Sequence, residues 1–305
     1  MTDHANSPRR LAPAIVLAAG LCLCGAGCGM FRSTSKSTES KVEAVERAQI
    51  ASTIPVKPGK HVLRVSQFVF YSDVPLDAAD PLFRELEDLP DQVQRELRLP
   101  ASNVPIQVFL FEDQERYEAY IRARDPKLPL RPAFFFAEQR GAGIPDDLYV
   151  FTWMGRRLRT DLRHELTHAL LHGVLKQVPL WLDEGLAGYF ELPPGVNGVN
   201  AQHLEAVRLP TFHPNLARLE KLDRVDQMLR PEYQESWAWV HFMLRGQPKA
   251  RTALLDHLQA LRTNSNPGTL QTRLDIAFQD PQVLLVDHLN RIETTHTHVG
   301  YSSPR

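Results

Sequence analysis

Beyond residue 28 the chain has no cysteine: all three, Cys22, Cys24 and Cys28, lie near the start of a 305-residue sequence. The remainder can form no internal disulfide, and none of these thiols is a metal ligand of the body. No block of one charge sign occurs either. Lys and Arg total 35 against 36 Asp and Glu, a formal net charge of −1, so electrostatics give no argument for nucleic acid as a partner. The densest basic stretch, Arg156-Arg157-Leu158-Arg159 with Arg163 beyond it, reads as a solvated helix face. There is no internal repeat. With 43% hydrophobic and 23% charged residues, the chain suits one large or two modest globular domains.

The first residues differ in kind from the rest. Arg9-Arg10 closes a polar, basic stretch, and Leu11 to Ala26 is an apolar run too short for a confident membrane span. It matches a secretory signal. Ala26-Gly27-Cys28 resembles a lipoprotein cleavage box, with Gly25 where a leucine-like residue is usual. The expectation is a signal peptide over 1–28, a lipid on Cys28 and an exported protein anchored to a membrane of the cell envelope. The other reading is an uncleaved anchor helix. Residues 29–59, rich in Ser, Thr, Lys and Glu, read as a flexible tether.

From residue 60 the pattern changes to that of a packed body. His61 to Tyr71 reads as a strand, Pro75 to Leu99 as a helix, Val104 to Phe111 as a strand, and a helix follows through Tyr117 to Arg124. Ala133 to Ala137 and Asp147 to Trp153 are two further strands. This alternation implies a small mixed sheet with helices on one face, over 60–153. Residues 154–293 are mainly helical, and 294–305, with His296 and His298, read as a loose tail. The fold class is therefore α+β.

The chemistry concentrates in Arg163-His164-Glu165-Leu166-Thr167-His168. On a helix, His164 and His168 stand one turn apart on the same face and form a two-imidazole clamp for a metal. A catalytic zinc takes imidazole nitrogen at about 2.0–2.1 Å and uses three protein ligands, leaving a position for water. Val178-Pro179-Leu180-Trp181-Leu182-Asp183-Glu184-Gly185 supplies the third, Glu184, on a second helix. Gly173 is read as the stop of the first helix and Pro179 as a first-turn proline of the second. Glu165, beside the first ligand, is the candidate general base.

His164-Glu165-x-x-His168 followed by Trp181-Leu182-x-Glu184-Gly185-x-Ala187-x-Tyr189 resembles the gluzincin zinc peptidases, and more closely the bacterial envelope proteins with a peptidase MA-like domain. A metzincin is excluded, because Leu171 and Val174 stand where glycine and histidine would be needed. The resemblance implies a gluzincin-like fold with one zinc per chain on His164, His168 and Glu184. Zinc-bound water would be activated by Glu165 for hydrolysis of a peptide or protein substrate. By the same analogy one strand of the 133–153 hairpin borders the cleft, where an extended peptide can add to its edge. Tyr233, at a helix start, is where the resemblance places the oxyanion donor, with His241 as runner-up. His172 is expected to face solvent or support the ligands, and Asp183 and Glu191 are candidates to orient them. From another class, the alternative is a zinc-stabilised envelope binding protein with little turnover. Retention of Glu165, which metal binding does not need, favours the enzyme.

Overall fold

The structure, a computed structural model, describes residues 56–141 and 144–293. The expected signal segment with Cys28, the tether up to residue 55, and the tail with His296 and His298 lie outside the described residues. Among the described residues no helix is long and apolar enough to cross a membrane.

The fold is α+β. Five strands, β1 (His61–Val65), β2 (Phe68–Ser72), β3 (Ile106–Phe111), β4 (Ala133–Glu138) and β5 (Asp147–Trp153), form one sheet in the order β1-β2-β3-β5-β4. The β1/β2 and β4/β5 pairs are antiparallel, and β2/β3 and β3/β5 are parallel. The sheet is thus mixed, with β4 on one edge. The stretch expected to be a single strand over 61–71 is instead a hairpin. It turns at Ser66-Gln67, where Ser66 takes the left-handed φ of 51°.

The single helix expected over 75–99 is two, α1 (Pro81–Glu87) and α2 (Leu89–Leu97). Asp80 caps the first by accepting from the Leu82 N–H at 2.8 Å. Pro90 falls in the first turn of α2, where its missing N–H does no harm but from where it cannot continue α1. α3 (Gln114–Arg124) is capped by Asp113, which accepts from the Arg116 N–H at 2.9 Å.

Helices cover both faces of the sheet, not one. α1 and α2 join the main core, which includes Phe68, Phe70, Ile106, Val108 and Val150. α3 lays Tyr117 and Ile121 on the opposite face against Phe109, Phe111 and Phe151. The reason is in β3 and β5, whose inner residues are apolar on both faces, as parallel strands demand.

Two long helices carry the motif: α4 (Leu158–His172) and α5 (Leu180–Phe190). They are followed by α6 (Ala201–Val207), the short α7 (Leu216–Leu219), α8 (Arg230–Arg245), α9 (Pro248–Leu261), α10 (Leu270–Ala277) and α11 (Pro281–Arg291). α4 rests on the sheet, and α8, with buried Trp237 and Trp239, packs on α5.

Arg163 departs from the expected solvated face, while Arg156, Arg157 and Arg159 keep to it. Its side chain is fully buried and satisfied on all sides. It donates to the Phe190 carbonyl at 2.9 Å, Glu85 at 3.2 Å and Gln92 at 3.0 Å. Gly173 ends α4 in right-handed conformation, so it is not there for a left-handed turn. A Cβ at that position would come 2.8 Å from Ser102 Oγ, so close approach is its reason. Pro179 sits just outside α5, and its carbonyl accepts from the N–H groups of Leu182 and Asp183 at 2.9 Å each.

Two buried histidines in the helical half predict a pH effect. Burial, helped by His288 and Arg245, pulls His241 down to about 3. Burial, helped by Arg273, pulls His257 down to about 4. Both stay neutral in the fold where the unfolded chain, near 6.5, would be protonated. Their stabilisation is therefore complete above pH 6.5 and is lost as pH falls towards 4, at roughly 2 kcal/mol each by pH 5. Urea unfolding at pH 7 and pH 5 should show a loss smaller by about 2 kcal/mol in His257→Leu than in the unaltered chain. Equal losses would refute this account.

Candidate metal centre

α4 and α5 bring three donor atoms together. His164 Nε2 and His168 Nε2 lie 3.3 Å and 3.7 Å from Glu184 Oε2. His164, His168 and Glu184 each offer an atom within 4.8 Å of the other two. The i, i+4 spacing on α4 places the imidazoles on one side, and the reversal over 173–179 returns Glu184 to face them. His168 and Glu184 are only 6% and 8% exposed, so the donors converge at a buried point.

Each imidazole is also held from behind. His164 Nδ1 donates to Glu191 Oε2 at 3.1 Å, and the other oxygen of Glu191 accepts from Asn200 Nδ2 at 2.9 Å. His168 Nδ1 and Asp183 Oδ1 are 2.9 Å apart, an ion-pair contact too bent for a hydrogen bond, and neither atom has another partner among the described residues. The second oxygen of Asp183 meets His172 Nε2 at 3.0 Å. His172 is thus not a ligand but a prop for Asp183. Carboxylates on both Nδ1 atoms leave both Nε2 atoms for a metal, the tautomer that metal-binding histidines use. Phe135, on β4, closes one side, with its ring 6.1 Å from that of His168 and 5.1 Å from that of His172.

The charge balance tests whether a cation fits. Glu165, Asp183, Glu184 and Glu191 surround two imidazoles that would otherwise be neutral. Burial opposes ionisation of Glu184, but hydrogen bonds from His164 and His168 outweigh it and hold the carboxyl near 2. Burial likewise opposes protonation of His164, yet Glu184 and Glu191 push it up to about 10. The ring nitrogens thus take up protons in answer to surplus negative charge, and a divalent cation on the same three atoms meets that demand without them. The donor set, two imidazoles and one carboxylate, is one that a transition-metal ion such as zinc accepts.

Glu165 stands next to this cluster and outside it. Its carboxyl is pushed up by burial, is sensitive to His164, His168 and Glu184, and forms no hydrogen bond or ion pair among the described residues. Tyr233, half-buried in the first turn of α8, is close enough to sense the same charges. Its phenol is pushed up to about 12, by burial first and by the Glu184 carboxylate next. His241 belongs elsewhere. It is 2% exposed and pairs with His288 at 2.9 Å between ring nitrogens, against the rings of Trp237 and Tyr189. Sequence reasoning did not find Asn200 or Phe135. Both arrive from other segments with no spacing signal to connect them to the motif.

No protein-family model matches the chain, and no curated protein matches it.

Proposed function

We propose that this chain is a zinc-dependent hydrolase of gluzincin type that cleaves peptide bonds, exported and held to a membrane of the cell envelope through a lipid on Cys28. The observation that carries the catalytic part is the division of labour among the carboxylates. Glu184 turns to the two Nε2 atoms, and Asp183 and Glu191 hold the Nδ1 sides. Glu165 is left over beside them, which a purely structural metal site has no use for.

A zinc ion held by His164, His168 and Glu184 would supply a Lewis acid and acidify a bound water. Glu165 takes the proton from the attacking water and returns it to the departing amine nitrogen. A carboxylate that forms no hydrogen bond or ion pair among the described residues is free to serve in both roles. Tyr233 donates its O–H to the carbonyl oxygen as that oxygen becomes anionic.

Elemental analysis of the purified protein tests the assignment. About one zinc per chain is expected, lost in His164→Ala and in Glu184→Ala. Glu191→Ala should retain the site with affinity lowered about 10–100-fold, because only the support of His164 is removed. An unaltered chain that refuses added zinc, or a His164→Ala variant that holds as much, would end the proposal.

A further inference from the structure

One side chain outside the sequence motif decides which way the hydrogens point behind His164. Asn200 precedes α6 and caps it, its Oδ1 accepting from the His203 N–H at 3.1 Å. A backbone N–H can only donate, so the amide is held with its oxygen towards the helix and its Nδ2 towards Glu191. There Nδ2 donates to Oε1 at 2.9 Å. The second oxygen of the same carboxylate, Oε2, accepts from His164 Nδ1 at 3.1 Å. From the backbone outward the polarity of these bonds leaves no choice. They end with a proton on Nδ1, which leaves Nε2 to a metal.

The loop over 192–199 brings Asn200 back to Glu191, and that return is itself fixed. Trp237, fully buried on α8, donates through Nε1 to the Gly198 carbonyl at 2.8 Å. Gly198 takes a φ of 73°, and a Cβ there would come 2.3 Å from the Tyr189 ring, so this path needs glycine. Glu191 lies just past the end of α5 and has a long side chain, whose rotamer freedom a single bond to an imidazole does not remove. The Asn200 bond supplies the second point of attachment. We propose that Asn200 is a positioning residue: by holding Glu191 it sets the tilt and the tautomer of His164, so that metal affinity depends on a residue touching neither the ion nor a proposed ligand. The inference deepens the zinc reading and rests on it for the identity of the ion.

Competition for zinc against a chromogenic chelator, beside urea unfolding of the metal-free protein, tests it in four forms: unaltered, Asn200→Asp, Glu191→Gln and the two combined. Asn200→Asp keeps the cap, since aspartate and asparagine cap about equally well, but offers Glu191 no N–H. Glu191→Gln must turn its one oxygen to His164 Nδ1 and then sets its NH₂ against that of Asn200. Each single variant should bind zinc about tenfold more weakly, the low end for the outer partners of a metal-binding histidine, and should unfold at lower urea. In the combined variant the amide at position 191 donates to the carboxylate at position 200 and still accepts from His164. Most of the affinity and of the unfolding midpoint should therefore return, whereas a residue serving only as a cap predicts losses that add. Additive losses in either measurement, or single variants that bind zinc as the unaltered chain does, overturn the proposal. If no form takes up zinc, yet the combined variant regains the midpoint that both single variants lose, the hold on His164 stands and the zinc reading alone falls.

Discussion

Peptide hydrolysis by the Glu165→Gln variant is expected to fall by about 10²–10⁴-fold, the usual contribution of a positioned base, while zinc content and the unfolding midpoint stay at wild-type values. The expectation follows from what Glu165 does not touch. His164 and His168 lean on Glu184, Glu191 and Asp183, so removing the charge at position 165 leaves every ligand with its support. The amide is of the same size and fills the same space without accepting the proton. Assay of a peptide library beside elemental analysis checks both halves. Full activity in the variant would remove Glu165 from the mechanism, and lost zinc would mean that its role is structural.

The second large effect is at Gly185, the residue after the proposed carboxylate ligand. A Cβ there would stand 2.6 Å from the Ser236 carbonyl oxygen, 2.9 Å from its carbon and 2.8 Å from Val240 Cγ2. Two of these atoms are backbone of α8 and cannot rotate away, so Gly185→Ala must move α5 off α8. A destabilisation of about 3 kcal/mol is expected, at the upper end of ordinary overpacking, together with weaker zinc binding because Glu184 moves with the helix. Gly188, on the same helix, is the control. A Cβ there meets only Trp237 Cβ at 3.9 Å, and Gly188→Ala should be neutral or stabilising by up to about 1 kcal/mol through helix propensity. Urea unfolding of the two variants side by side decides it, and equal stabilities would contradict the packing argument.

Gly185 also marks how far the sequence could be read. The Glu-Gly pair was recognisable as part of a motif, but the reason for the glycine lies in a helix fifty residues further on. The grouping of His164 and His168 was legible because helical periodicity alone places them together. Tyr233 could be named only by resemblance, and the charges its phenol senses depend on how α8 packs on α5. The strands from β3 onward were visible in runs of apolar residues. The β1–β2 turn was not, since Ser66-Gln67 carries neither glycine nor asparagine to announce a left-handed residue. Arg163 was misread because an arginine among arginines looks solvated. Its partners Glu85, Gln92 and Phe190 are distant in sequence, and nothing in local composition points to them.

That arginine has a bearing on metal affinity. It precedes the first proposed ligand on α4, and its guanidinium is engaged at once by α1, α2 and the end of α5. Turning α4 about its axis by one residue, about 100°, would strand a buried positive charge without partners. Breaking such an arrangement costs about 3–5 kcal/mol. The rotational setting of the helix is therefore locked by a contact that involves no metal. The imidazoles already face their target when an ion arrives, so little conformational freedom remains to be lost on capture, and the binding free energy is correspondingly undiminished.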